Sequence, residues 1–223
     1  MSEAARDQAP QRSIAAPNGR KVTVKMVGPY AAEADLQVIC VFKHKSEGDT
    51  YQDSMQVLDD KLGGILSRLR NSGDFIGELG ETLLFSPPRG TIPAKQLLAV
   101  GLGEESSLSP HAMQVAARVA LREAVRLKVK QVYFAPTLRD QGNNKLGVGD
   151  VDSAVVGQVV HAYDAELRLQ QEALAPESRI EEWIIEAGPK FFEEAVQEVG
   201  NAVAESAAAL ENRKTGTHNR TGA

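Results

Sequence analysis

The chain has 223 residues, 42% of them hydrophobic and 25% charged, which suits one globular domain with a real core. A net charge of −5, without any long basic run, argues against nucleic acid as a partner. One cysteine excludes an internal disulfide and a cysteine-built zinc site, and no run approaches the roughly 18 apolar residues of a membrane span. The first 20 residues carry charges and prolines but no apolar signal segment, so a cytoplasmic location is expected.

Residues 1–20 read as a flexible lead, 21–211 as one domain and 212–223 as a polar tail. Lys21–Val27 alternates Val22, Val24 and Met26 with polar residues and predicts a half-buried strand. Asp35–Phe42 is a short continuous apolar run, as in a strand covered on both faces. Its Cys40 is expected to behave as a small apolar residue. Tyr51–Arg70 spaces Met55, Leu58 and Leu62 on one helical face until Gly63-Gly64 interrupts it. Glu81–Phe85 and Gln96–Val100 predict two more strands.

Ser109-Pro110 then opens a helix carrying Met113, Ala116, Ala117, Ala120, Ala124 and Leu127. Gln131–Phe134 is a strand ended by Pro136. Asp150 or Asp152 is expected to cap a long helix with Val155, Val156, Val159, Tyr163 and Leu167 on its apolar side. Ile180–Glu186 predicts the last strand, and Gly188-Pro189 starts a final helix. Strands alternating with helices of this length predict an α/β layered domain with a mostly parallel sheet.

Three blocks resemble the N-terminal domain of the leucyl (cytosol) aminopeptidase family. They are Asp59–Leu66 around Gly63-Gly64, the run Phe75–Thr82, and Ile92–Gly103 with its Val100-Gly101-Leu102-Gly103 ending. Taken with the elements that follow in order, the resemblance spans about residues 20–210. It implies a three-layer α/β/α sandwich like that of macro domains, with a mostly parallel mixed sheet. It also implies no catalysis by this domain, because the family keeps its two metal ions in a separate C-terminal domain. The motif of that domain, Asn-Thr-Asp-Ala-Glu-Gly-Arg, has no counterpart here.

A search for independent chemistry yields little. His44, His111, His161 and His218 are isolated, and no His-Glu-x-x-His pattern, Gly-x-Ser-x-Gly elbow or P-loop is present, so no catalytic residue, metal site or cofactor is assigned. The expected role is a non-catalytic interaction, oligomerisation or regulatory module, self-associating or docking onto a full-length aminopeptidase. The candidate docking faces are the helix 152–174 and the last helix. The alternative is a macro-type binder of ADP-ribose or another nucleotide or phosphate. Its crest would draw on Asp35, Gly63, Gly64, Gly101, Gly103, Gly142 and Gly147. Against that alternative, Phe42-Lys43-His44-Lys45 stands where such binders carry asparagines, and it is expected to fill the cleft.

Overall fold

The computed structural model describes residues 9–46 and 48–215. Seven strands form one sheet: β1 (Gln11–Ala16), β2 (Arg20–Lys25), β3 (Leu36–Val41), β4 (Thr82–Phe85), β5 (Gln96–Gly101), β6 (Gln131–Ala135) and β7 (Glu182–Glu186), in the order β1-β2-β7-β6-β3-β5-β4. The four inner pairings are parallel, and only the edge strands β1 and β4 run antiparallel to their neighbours. Five α-helices accompany it among the described residues: α1 (Asp53–Lys61), α2 (Ile65–Asn71), α3 (Pro110–Leu127), α4 (Val148–Gln171) and α5 (Phe192–Thr215).

Each face of the sheet has its own core. Val38 and Cys40 of β3 point with Leu98, Val100 and Phe134 toward α3, α4 and α5. Ile39 and Val41 point the other way, with Leu97, Ala99 and Tyr133, toward α1 and α2. This two-sided cover is why β3 reads as an unbroken apolar run, and it makes the domain a three-layer α/β/α sandwich. Cys40 is fully buried, and burial pushes its thiol pKa upward, so it packs as an apolar residue.

Three differences from the sequence reading have local causes. Gln11–Ala16 forms β1 inside the stretch expected to be a flexible lead, while residues 1–8 lie outside the described residues. Only Ile14 and Ala16 of β1 pack against the core, so no hydrophobic period marks it. Its readable signal was Asn18-Gly19, both at positive φ in the turn to β2, the pair that favours tight hairpins. Helix α5 likewise runs to Thr215, into the stretch expected as a polar tail, whose residues 216–223 lie outside the described residues.

Helix α4 begins at Val148, not at Asp150 or Asp152, because Gly147 is the N-cap and its amide donates to Asp150 Oδ2 at 3.3 Å. Asp152 therefore stands in the second turn, on the buried side of the helix.

The apolar faces proposed for docking are used internally. Val155, Val156, Val159 and Tyr163 of α4 and Phe192, Ala195, Val199 and Val203 of α5 are buried in one core cluster. Leu169 and Leu174, at the end of α4 and just beyond it, remain exposed.

Candidate functional site

In a sheet of this connectivity, ligands are expected outside the carboxyl ends of the strands, where successive crossovers leave in opposite directions. Here β3 leads to β5 on one side and β6 leads to β7 on the other, so that point lies between β3 and β6. It is occupied by the protein's own groups. Gln141 accepts from the Phe42 amide at 3.0 Å and donates to the Cys40 and Thr137 carbonyls, each at 2.9 Å. Thr137 Oγ1 donates to the same Cys40 carbonyl at 2.6 Å. Arg70, only 1% exposed, donates to the Phe42 carbonyl at 2.6 Å and pairs with Asp49. Over the end of β5, Lys43 bridges Glu78 at 2.9 Å and Glu104 at 3.0 Å. The segment beginning Phe42-Lys43 thus helps to close this crevice.

The residues expected to form a ligand crest serve the fold. Asp35 lies at the opposite, amino end of the strands, which corrects its assignment to the crest. It pairs with Lys95 at 2.6 Å and accepts from the Lys130 and Gln131 amides at 3.0 and 3.2 Å. Burial raises its pKa, but these hydrogen bonds outweigh burial and leave it below the ordinary value.

The glycine amides, which would have to face a phosphate, are all donated internally. Gly63 and Gly64 donate to the Asp60 and Asp59 carbonyls, Gly101 to Glu81, Gly103 to Gly77 and Gly142 to Arg139. The structure brings Gly101 and Gly103 together, but not with Gly63, Gly64 or Gly142. Of the seven, Gly147 lines a cleft of mainly apolar walls beside β6 and β7.

The three motif blocks have the same kind of explanation. Buried Asp59 accepts from the amides of Leu66 and Ser67 at 3.0 and 3.4 Å and caps α2 across the Gly63-Gly64 turn. Glu81 accepts from the amides of Ile76, Gly77 and Glu78 at 3.3, 2.7 and 2.9 Å and curls that loop against β5. Gly101 makes the contact possible, since a Cβ there would lie 2.0 Å from the Glu78 carbonyl oxygen.

One strand further along the same edge, a cleft of about 170 Å³ opens at the carboxyl ends of β6 and β7. Pro136, Leu138, Leu146, Val148, Val151 and Phe191 form its apolar walls, and Arg139, Asn143, Asp152 and Glu186 line it with polar groups. The Arg139 guanidinium lies 4.3 Å from the Phe191 ring centroid.

Asp152 is 3% exposed, and its buried Oδ2 has no hydrogen-bond partner among the described residues. Burial, followed by the charges of Glu186, Glu194 and Glu198, pushes its carboxyl well above the usual range. Glu186 is pushed up to about 7, by burial first and then by Asp140. Two acids, Asp152 buried and Glu186 partly buried, thus line one cleft with raised pKa, which marks it as a candidate site.

Sequence reasoning missed this pair because it read Asp152 as a cap and Glu186 as a strand residue. A signal existed, since Asp152 stands three, four and seven residues before Val155, Val156 and Val159, a carboxyl on the apolar side of a helix. Among the described residues, no group of three or more His, Cys, Asp or Glu is arranged to hold a metal ion, and no helix is long and apolar enough to cross a membrane.

Comparison with solved structures agrees with the fold. A tomato leucine aminopeptidase mutant superposes with a TM-score of 0.65 at 21% identity, over 93% of this chain and 40% of that one. An Oceanobacillus iheyensis macrodomain mutant solved with ADPR gives 0.60 at 10% identity, over 88% of this chain and all of its own. In sequence, the probable cytosol aminopeptidase of Ralstonia pickettii is 34% identical over 110 residues, 49% of this chain and 21% of that protein. That of Thermosynechococcus vestitus is 32% identical over 146 residues, 65% of this chain and 27% of that protein. The chain thus spans about a fifth to a quarter of the length of these relatives. The profile of the cytosol aminopeptidase family N-terminal domain matches residues 38–166, more than half of the sequence, and so the chain belongs to the cytosol aminopeptidase family through its N-terminal domain.

Proposed function

We propose that this domain is a cytoplasmic, non-catalytic module that regulates an aminopeptidase by docking onto it. The observation that carries the reading is the closed crest between β3 and β6. Gln141, Thr137 and Arg70 occupy the place where a macro-type fold would receive a ligand, and the candidate glycine amides are spent within the chain. A scaffold that satisfies its own crest is suited to present a surface.

The test mixes the pure domain with a full-length cytosol aminopeptidase from the same organism, followed by light scattering and by leucine p-nitroanilide turnover with manganese. A complex of defined mass and an altered rate are expected, with no rate above buffer from the domain alone. Reproducible turnover by the domain alone, or no complex with either the enzyme or a second copy, would overturn this role.

A second reading, a macro-type nucleotide binder, has one observation in its favour, the superposition on a macrodomain solved with ADPR. Calorimetric titration with ADP-ribose separates the two. Micromolar binding abolished by substitution of Gly142 would favour the second.

A further inference from the structure

We propose that the cleft at the carboxyl ends of β6 and β7 binds a small zwitterion, an α-amino acid with an apolar side chain. Asp152 and Glu186 take its ammonium group, and Arg139 takes its carboxylate. This site stands apart from the docking role and does not require it.

Size comes first. A volume of about 170 Å³ is below the roughly 300–1,000 Å³ of sites for drug-sized ligands, which suits a small ligand. The walls are mainly apolar, with Leu138, Leu146, Val151 and Phe191 available to a branched aliphatic side chain.

Charge comes second. The ion pairs of the domain include those of Lys21, Lys43, Arg70, Lys95, Lys130 and Arg168. None joins Arg139 to Asp152 or Glu186 among the described residues, although all three line one cleft. Opposite charges held in one cleft without meeting are complementary to a ligand carrying both.

Asp152 supplies an independent sign, because a buried carboxyl oxygen without a hydrogen bond among the described residues is costly. An ammonium donates up to three hydrogen bonds and brings the compensating charge.

The neighbours reinforce this polarity. Glu194 and Glu198 of α5 act on Asp152, and Asp140 acts on Glu186. Lys25 is the register partner of Glu186 on β2, yet forms no ion pair with it among the described residues. Lys190 lies 5.3 Å from the centroid of the Phe191 ring. Below pH about 7 the proton on Glu186 competes with the ligand, so affinity rises between pH 6 and 8 and binding releases protons.

The experiment is calorimetric titration of the whole 223-residue chain at pH 8 with L-leucine, with isoamylamine, which lacks the carboxylate, and with 4-methylpentanoate, which lacks the ammonium. Leucine is expected to bind, the amine about tenfold more weakly and the acid not at all. Asp152→Asn keeps the shape, removes the acid that the ammonium would pair with and should weaken leucine about tenfold or more. Arg139→Gln should weaken leucine while leaving the amine unchanged, and it decides the matter if Asp152→Asn fails to fold. Absence of heat with leucine at about 20 mM, or both variants binding as the parent does, would overturn the assignment. Docking is measured separately, so failure of one leaves the other standing.

Discussion

At the carboxyl ends of β3 and β6, the Cys40 carbonyl and both backbone groups of Phe42 meet Gln141, Thr137 or Arg70, whereas one strand away Asp152 Oδ2 has no hydrogen-bond partner among the described residues. Both places sit on the same edge of one sheet, where the fold type favours ligands. The first is closed by short hydrogen bonds from side chains far apart in sequence. The second keeps two acids under apolar walls at a cost to the domain. Glycines and a favourable topology are therefore poor guides to a site by themselves. The polar groups left unsatisfied are better ones.

The strongest test of the closed region is Gly101→Ala. Its methyl would lie 2.0 Å from the Glu78 carbonyl oxygen, which is backbone and has little room to yield. A loss of about 4 kcal/mol in urea denaturation is expected, at the high end for overpacking, or no folded protein at all. A loss below about 1 kcal/mol would show that the Gly77–Glu81 loop is not held against β5 as described.

The open region is sharpened by pH. Glu186 is raised from 4.5 to about 7, so the native state holds a proton that the unfolded chain releases. Stability from this group is full below pH about 4.5 and is lost as pH rises through about 7, by about 3 kcal/mol. Glu186→Gln should flatten this fall and leave the variant more stable than the parent at pH 8, as read from melting temperature across the range. An unchanged slope would mean that Glu186 is solvated and that the cleft is less demanding than its geometry implies.

The smallest effect probes the plug itself. Gln141→Ala leaves the Phe42 amide without its side-chain acceptor, an expected loss of about 1–2 kcal/mol. No affinity for ADP-ribose should appear in titration, because the glycine amides stay committed. New binding would mean that one side chain, rather than the wiring of the crest, keeps nucleotides out.

Much of the fold was legible. Strands β2 to β7 follow from alternation or from short apolar runs, and α3 from Pro110 and its alanine-rich face. Strand β1 was not, since it is held by ladder hydrogen bonds to β2 and by Ser13 against Thr23 rather than by buried apolar area. Of the candidate site, the sequence identified glycines because they are conspicuous. Glycine marks where backbones approach, as at Gly101, as readily as where a phosphate would.

The sequence by itself determined the layered α/β class, the buried character of β3 and the family blocks at Asp59–Leu66, Phe75–Thr82 and Ile92–Gly103, because these depend on local period and local chain geometry. Only the tertiary structure decided that Asp35 ties the amino ends of three strands, that Gln141 spans from its own loop to Cys40 and Phe42, and that Asp152 and Glu186, far apart in the chain, share a cleft. Hydrogen-bond satisfaction and desolvation are properties of what surrounds a group, and those surroundings come from strands and loops distant in the chain.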